Sequence, residues 1–182
     1  MQTSPTTTST TRRRITALAT AGLALVAAAC VPPPPPPAPN LAACPTAGAG
    51  QVQVAVVVQG GALDSPPVVC VVVPAGSDGL DALAARAQRI SEEVPRLGFG
   101  DAFVCGIDGF PAAPACGDEG PAGFSYWNYW TGGSTWDAAV TGAGDRPVTQ
   151  GSVDAWVFGT WDFVTTFPAP PTGPSTFAAL TD

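Results

Sequence analysis

The sequence predicts a domain of the α+β class, in which one helix crosses a mixed, mostly antiparallel β-sheet. Short apolar runs of strand length, separated by Gly, Pro and Asp, recur from residue 51 to residue 158. One stretch, at residues 79–94, instead repeats apolar residues at helical spacing. Several strands with a single helix among them are typical of α+β domains, whereas α/β domains alternate the two elements.

The first two predicted strands form a hairpin. Residues 51–58 alternate and then run apolar, and residues 68–73 form a second apolar run. Between them, Gly60 and Gly61 are followed by Asp, Ser and Pro at residues 64–66, which are residues that favour turns. The two runs are therefore expected to pair as antiparallel neighbours.

The predicted helix begins at Ser77 or Asp78, either of which can cap a helix N-terminus, and ends before Pro95. Its apolar stripe consists of Leu80, Leu83, Ala84, Ala87, Ile90 and Val94. This stripe is expected to pack on the sheet. The side chains expected on the solvent side are Arg86, Arg89, Glu92 and Glu93.

The remaining predicted strands cover residues 102–109, 124–130, 136–141 and 152–158, and residues 162–166 are a candidate for one more. Side chains alternate along a strand. One face of the strand at 124–130 therefore carries Phe124, Tyr126, Asn128 and Trp130. The other face carries Ser125, Trp127 and Tyr129. A strand with two aromatic faces is either central in its sheet or leaves an adhesive face exposed.

The first 29 residues predict an export signal. Three arginines at residues 12–14 precede an uncharged stretch at 15–29, which ends in three alanines before Cys30. A basic region, a short apolar segment and small residues at the cleavage site are typical of bacterial secretion signals. The mature chain is therefore expected outside the cytoplasm.

The residues before Cys30 also resemble a lipobox, in which the cysteine receives a lipid that anchors the protein in the cell membrane. A lipobox usually has Leu three residues before the cysteine, where this chain has Ala27. Two alternatives stay open: plain secretion after cleavage behind Ala29, and an uncleaved membrane anchor. The anchor is disfavoured because a bilayer span needs about 20 apolar residues.

Proline-rich residues separate the signal from the domain. Residues 32–37 are all proline, which favours an extended polyproline II segment of about 3.1 Å per residue. We assign residues 30–41 to a linker and residues 42–167 to the globular domain. Residues 168–182, rich in Pro, Thr and Ala, are expected to form a flexible tail.

The chain has five cysteines, and lipidation of Cys30 would leave Cys44, Cys70, Cys105 and Cys116. Four cysteines in an exported domain are expected to form two disulfides. We favour a local Cys105–Cys116 bridge and a Cys44–Cys70 bridge, although four cysteines allow three pairings. A zinc site is disfavoured because the chain has no histidine and no Cys-x-x-Cys pair.

The composition excludes some partners. Fourteen acidic residues outnumber seven arginines, three of which lie in the predicted signal, and the net charge is −7. A negative field repels phosphates and anionic headgroups. Nucleic acid is therefore not an expected partner, and membrane association would depend on the lipid. The Ala-, Gly- and Pro-rich composition without lysine is typical of a high-GC actinobacterium.

The sequence offers no catalytic constellation, and no enzyme is predicted. Without histidine there is no Ser-His-Asp or Cys-His arrangement. Two carboxylate pairs, Asp118 with Glu119 and Asp137 with Asp154, are candidates for acid and base, and residues 116–120 are a candidate calcium loop. Solvated carboxylates and a turn are the favoured interpretations, and no metal is predicted.

The order of several motifs resembles the transcobalamin C-terminal-like β-grasp family. After the hairpin these are GSDGLDAL at 76–83, FVCGIDG at 103–109, YWNYW at 126–130, GAG at 142–144 and GSVDAW at 151–156. The resemblance covers residues 50–159, and it rests on the combined order. It implies a β-grasp fold, and related animal domains cover one face of a bound corrinoid.

The resemblance also implies a contact surface, which consists of Tyr126, Trp127, Tyr129, Trp130, Trp136 and Trp156. Aromatic faces suit a flat, apolar ligand. A cobalamin-like molecule is the ligand that the family suggests, and no other cofactor is expected. The alternative for these side chains is packing within a small sheet.

The function predicted is that of an exported, lipid-anchored, non-catalytic binding module, which presents an aromatic sheet face to a small apolar or corrinoid-like ligand. Two other classes stay open. One is a cell-surface protein–protein or adaptor domain that serves a transporter or another surface protein. The other is a secreted protease inhibitor with residues 109–115 as its reactive loop.

Overall fold

A mixed β-sheet with helical segments on its faces makes the fold α+β, as predicted. In this computed structural model the main sheet contains β1 (Gln51–Gln59), β2 (Val68–Pro74), β5 (Asp118–Gly120), β6 (Gly123–Gly132), β7 (Trp136–Ala138) and β8 (Ser152–Trp161). A separate pair is formed by β3 (Arg96–Gly98) and β4 (Phe103–Gly106). The helical segments are α1 (Gly79–Ile90), α2 (Phe177–Thr181) and a 3₁₀ turn at Ala143–Asp145.

The structure describes residues 38–101, 103–165 and 167–182. The predicted signal at 1–29, the lipidation of Cys30 and the prolines at 32–37 lie outside these residues. Residues 38–182 form one compact unit. No helix in the described part is both long and apolar enough to cross a membrane.

The strand order of the main sheet is β2-β1-β8-β6-β5, with β7 paired to the same edge of β6 as β5. β1 and β8 are parallel, with Val56 opposite Asp154, and the other pairs in this sheet are antiparallel. A parallel pair needs a long connection, and here that connection includes α1. The first and last strands therefore meet at the centre of the sheet, as in a β-grasp.

Helix α1 begins where its sequence predicts but ends earlier. The Asp78 carboxylate accepts a hydrogen bond from the backbone N–H of Asp81 at 2.9 Å, and the Asp81 carboxylate accepts one from the backbone N–H of Asp78 at 3.2 Å. This reciprocal pair is a capping box. The helix ends at Ile90 because Ser91 is left-handed, with φ of 61°. Val94 therefore lies outside the helix and is 65% exposed.

The expectation that Arg86 faces solvent is wrong, because this side chain is fully buried. Its Nη1 lies 2.8 Å from each carboxylate oxygen of Asp108. Its Nη2 donates to the Ser65 hydroxyl and the Pro66 carbonyl. A buried guanidinium needs such partners, and they come from two loops that are distant in sequence.

Side chains are buried on both faces of the main sheet. On one face, which we call the helix face, valines of β1 and β2 pack with Leu83, Trp127 and Trp156. On the other, which we call the strap face, Trp130 packs with small and apolar residues of β1 and β8 and with Leu180. The two faces of β6 are therefore both covered along part of its length.

The strap face is covered by residues 167–182, which we call the strap. Leu180 is buried against this face. The backbone N–H and carbonyl of Thr172 pair with the amide side chain of Gln59 at 2.8 and 2.9 Å. The structure thus differs from the flexible tail predicted at 168–182, because apolar side chains within this Pro-rich segment cover a sheet face that would otherwise be exposed.

Two disulfides join Cys44 to Cys70 and Cys105 to Cys116, which is the pairing that we favoured. An arginine accompanies each of them. Arg89 donates to backbone carbonyls beside the first bridge, and Arg96 donates to backbone carbonyls beside the second. Two disulfides indicate an oxidising compartment outside the cytoplasm.

Candidate ligand-binding site

The six aromatic residues predicted as ligand contacts do not share one surface. Trp127 and Trp156 lie on the helix face with 4% and 1% of their surface exposed. Trp130 is buried on the strap face with 7% exposed. Tyr129 stacks on Trp156 with a distance of 4.9 Å between ring centroids. These four side chains belong largely to the core. This is the alternative to ligand contact, packing within a small sheet, that the sequence left open.

Tyr126 and Trp136 are half-buried. The indole N–H of Trp136 donates to the carbonyl of Gly173 at 3.2 Å, so that this side chain holds the strap in place. The Tyr126 ring lies 5.8 Å, between centroids, from the rings of both Phe103 and Phe124. Tyr126 is thus the predicted contact that belongs to a cluster of partly exposed aromatic rings.

The outer edge of β6 is interrupted. β5 pairs with its first three residues and β7 with its last three. The carbonyl of Tyr129 points to this edge, because it accepts a hydrogen bond from the N–H of Ala139 at 3.1 Å. Backbone groups alternate between the two sides of a strand, so the N–H and C=O of Trp127 point to the same edge. Neither neighbouring strand pairs with Trp127 there.

A cavity of about 220 Å³ lies beside this interrupted edge. Its wall is formed by β6 residues 126–130, by Phe103 and Val104 of β4, by Leu80 of α1 and by Ala138 and Ala139 at β7. Gly142 and Ala143 from the 3₁₀ turn, Trp156 and Phe167 complete the lining. We call this space the edge cavity. It is apolar and aromatic, as ligand pockets usually are.

Two residues that line the edge cavity carry buried hydrogen-bond donors without partners in the described part of the chain. Trp130 and Trp156 both line it, and the indole N–H of each is buried without a partner among the described residues. A buried donor is normally paired. Because both indole nitrogens are closed to solvent, the groups left for a ligand with polar atoms at its edge are the backbone N–H and C=O of Trp127.

Tyr129, Asp154 and Arg146 form a polar cluster behind this wall. The Tyr129 hydroxyl donates to Asp154 at 2.9 Å, and Arg146 forms an ion pair with Asp154. Gly79 makes room for the cluster, because a Cβ there would lie 2.8 Å from the Tyr129 oxygen. The cluster joins the start of α1 to the centre of the sheet.

Burial dominates the protonation of this cluster. Desolvation raises the pKa of Asp154 above its usual value, although the Arg146 charge and the hydrogen bond from Tyr129 oppose the shift. Desolvation, followed by the nearby Asp154 charge, raises the pKa of Tyr129 well above its ordinary value. Each of the three residues is hydrogen-bonded or ion-paired with the other two. The cluster therefore stabilises the fold and does not resemble a catalytic pair.

A second concavity, of about 290 Å³, adjoins the edge cavity at Phe103 and Tyr126, which line both. Its lining consists of five aromatic residues: Phe103, Phe124, Tyr126, Trp161 and Phe163. We call it the aromatic groove. Sequence reasoning missed Phe103, Phe124, Trp161 and Phe163 as contacts. The register of β6 and β8 places Phe124 opposite Trp161, whereas Phe103 and Phe163 come from β4 and from the segment after β8.

Large apolar side chains are exposed around the aromatic groove. Trp161 is 37% exposed and Phe163 is 59% exposed. Phe99, whose ring lies 5.9 Å from that of Phe103, is 81% exposed. Phe99 and Phe163 are also left-handed, with φ of 55° and 64°. That conformation is unusual for bulky residues, and exposed apolar patches often mark binding sites.

The arginines of the described residues all donate to internal acceptors. Arg86 pairs with Asp108, Arg146 pairs with Asp154, and the other two bind backbone carbonyls beside the disulfides. Since the chain contains neither lysine nor histidine, the exposed side-chain charges of the described part are dominated by carboxylates. A ligand here is more favourably neutral or cationic than anionic.

The carboxylate pairs considered from the sequence do not form acid–base pairs. Asp154 is buried against Arg146, whereas Asp137 is exposed on β7. Asp118 and Glu119 are consecutive residues of β5 and thus project to opposite faces. The described residues include no group of three potential metal ligands.

The chain was compared with known proteins. No family model matches it, and no curated protein matches it. Among solved structures, it is similar to one described as haptocorrin in complex with Cbi, with a TM-score of 0.47 and 17% sequence identity. The match covers 61% of this chain and 25% of that chain, so this chain spans about a quarter of the length of the other.

Proposed function

We propose that this protein is a non-catalytic binding module whose edge cavity holds a flat, largely apolar small molecule with polar atoms at its rim. The observation that carries the proposal is the interrupted edge of β6, where an aromatic-walled cavity meets the backbone N–H and C=O of Trp127, which no neighbouring strand among the described residues pairs. An apolar wall with a few fixed polar groups is the usual composition of a small-molecule site.

The ligand class follows from shape and charge. Aromatic walls favour planar ring systems, and the backbone N–H and C=O of Trp127 favour polar atoms at the rim of the ligand. The scarcity of free cations disfavours carboxylate-bearing macrocycles such as haem. A corrinoid carries amide groups around a flat ring, and only one edge of so large a macrocycle would enter the space of about 220 Å³. The motif order from residue 76 to residue 156 suggests the same class.

The module is proposed to act outside the cytoplasm, held at the membrane by a lipid on Cys30 and spaced from it by the prolines at 32–37. Support comes from the signal-like sequence before Cys30 and from the two disulfides. Intact mass of the protein from its native membrane tests this part. A chain that begins at Cys30 without a lipid adduct would replace anchoring by secretion.

The binding proposal is tested by titrating the purified protein with cobinamide, cobalamin and haem while following tryptophan fluorescence. Cobinamide or cobalamin is expected to quench saturably, because three of the five tryptophans line the edge cavity, and haem is expected to bind more weakly. The variant Ala138→Phe, which adds a ring at the cavity wall, should weaken corrinoid binding at least tenfold. Val94→Ala, an exposed apolar position away from both concavities, serves as the control.

Three results would contradict the proposal. The first is an unchanged affinity in a folded Ala138→Phe protein, which would place any binding elsewhere. The second is the absence of saturable quenching by either corrinoid. The third is tighter binding of haem than of both corrinoids, which would refute the charge argument.

A further inference from the structure

We propose that the aromatic groove is a second binding site, and that it takes a small organic cation of the quaternary ammonium class. The faces of aromatic rings carry partial negative charge. Several rings around one space therefore bind alkylated ammonium groups, which water hydrates only weakly. The groove is lined only by aromatic side chains of the described residues. This inference does not depend on the ligand of the edge cavity.

The groove has two walls of different origin. One wall is the row Phe103, Tyr126 and Phe124, in which adjacent ring centroids lie 5.8 Å apart. The other wall consists of Trp161 and Phe163, whose ring centroids lie 4.9 Å apart. Phe124 and Trp161 are cross-strand neighbours, so the walls meet at that end. The space of about 290 Å³ between them is open to solvent, and a headgroup can enter without any rearrangement.

A carboxylate stands at the margin of the groove. Glu119 on β5 lies directly opposite Phe124 in the register with β6, and directly opposed residues project to the same face. Glu119 is exposed, so its negative charge can lie beside a cation held against the rings. Asp101, in the turn between the rings of Phe99 and Phe103, is also exposed. Aromatic faces with nearby carboxylates favour a cation over a neutral molecule of the same shape.

No cation of the described residues competes for this position. The four arginines are bound to internal acceptors, and none of them lines the groove. Among the described residues, therefore, no cation fills the groove and no positive charge there repels a ligand. Its rings are left partly exposed. Phe163 is left-handed within a turn in which the Asp162 carboxylate accepts hydrogen bonds from the backbone N–H groups of Val164 and Thr165.

Choline and its neutral isostere 3,3-dimethyl-1-butanol are the two probes that test this proposal. They have the same shape and differ in charge, so calorimetric or NMR titration of the purified full chain separates cation recognition from apolar contact. Choline is expected to bind in the millimolar range and at least about tenfold more tightly than the isostere, because several ring faces contribute together.

Three variants connect such binding to the groove. Tyr126→Leu and Trp161→Leu each remove one ring from a wall and should weaken choline binding about fivefold to tenfold. Glu119→Gln keeps the shape of the margin and should weaken choline, but not the isostere, by a smaller factor that shrinks with added salt. Ala138→Phe at the edge cavity serves as the matched control and should leave choline affinity unchanged.

Equal affinity for choline and the isostere would overturn the proposal, as would an unchanged affinity in folded Tyr126→Leu and Trp161→Leu proteins. No binding of choline to the folded wild-type chain at about 100 mM, well above the range expected for such a site, would overturn it too. Corrinoid binding without choline binding would refute this inference alone. Choline binding without corrinoid binding would refute the function proposed for the edge cavity alone.

Discussion

The buried tryptophans of the helix face and the exposed rings of the aromatic groove are the same kind of residue in opposite environments. Trp156 is 1% exposed and stacks on Tyr129 within the core. Trp161, five residues later on the same strand, is 37% exposed and faces a groove. Between these two positions β8 passes from the covered centre of the sheet to its uncovered end, and the two side chains, five residues apart, project to opposite faces. An aromatic residue in this domain therefore has a role that depends on what covers its part of the strand.

Because of this difference in exposure, the core aromatic residues are expected to contribute to stability and the groove aromatic residues to ligand binding. A core aromatic contributes by filling volume, and its removal leaves a cavity that the fold does not close. A groove aromatic contributes to folding only through the few contacts that it makes at the surface, and its ring remains available to a ligand. Substitutions at the two positions should thus affect different measurements.

The largest expected effect comes from Trp156→Ala, compared with Trp161→Ala. The first should lower the free energy of unfolding by about 3–5 kcal/mol, because it empties a fully buried site. The second should lower it by about 1–2 kcal/mol, because the side chain is 37% exposed and its removal leaves no enclosed cavity. Denaturant titration at fixed disulfide state measures both. Similar losses for the two variants would show that the groove rings are part of the folding core.

Alternation along β6 was predictable from the sequence, and the structure confirms that its two faces carry the expected residues. The identity of the covered face was not predictable in the same way. Trp130 is buried because Leu180 and the rest of the strap pack beside it, and nothing near residue 130 indicates this. Tyr126, on the same face, extends past the strap and borders the groove. Coverage is a long-range property, whereas alternation is local.

Other features of the structure also divide into those that nearby residues determine and those that depend on residues distant in sequence. The hairpin, the capping box of α1 and the favoured cysteine pairs depend on nearby residues, and the structure has them. The burial of Arg86 and the parallel pairing of β1 with β8 depend on partners distant in sequence. The edge cavity exists because short β5 and β7 leave a gap between them, and an acidic, Gly-containing segment such as β5 has little intrinsic strand propensity.

The two tyrosines of the chain should respond differently to alkaline pH, since Tyr129 lies in the core cluster and Tyr126 at the groove. Burial raises the pKa of both phenols, and the Asp154 charge raises that of Tyr129 further. Unfolded tyrosine ionises near pH 10. Above that pH the unfolded chain releases a proton that folded Tyr129 retains, so the free energy of unfolding should fall as pH rises.

The matched variants Tyr129→Phe and Tyr126→Phe test this assignment. In Tyr126→Phe, phenolate absorbance should appear only together with alkaline unfolding, because the remaining tyrosine is Tyr129. In Tyr129→Phe, the remaining Tyr126 should titrate reversibly in the folded protein, and the alkaline loss of stability should be shallower. Reversible titration of Tyr129 in a folded chain would mean that solvent reaches the core cluster.

The smallest expected effect is at Phe163, where the groove and the backbone have opposing requirements. Phe163 has φ of 64° and is 59% exposed. A non-glycine residue pays about 1–2 kcal/mol for a left-handed backbone, and little burial offsets this here. Phe163→Gly should therefore leave the free energy of unfolding unchanged or raise it by up to about 1 kcal/mol, although glycine also gains entropy in the unfolded chain.

The same substitution removes a ring from one wall of the aromatic groove, so choline affinity should fall while stability does not. Phe163→Leu, which keeps the backbone requirement and loses only the ring, should reduce choline affinity without any gain in stability. A gain in stability with unchanged choline affinity would show that Phe163 is a strained surface residue without a role in the groove. A clear loss of stability in Phe163→Gly would instead show that the ring packs strongly against Trp161. Phe163 would then belong with the core aromatic residues and not with those of the groove.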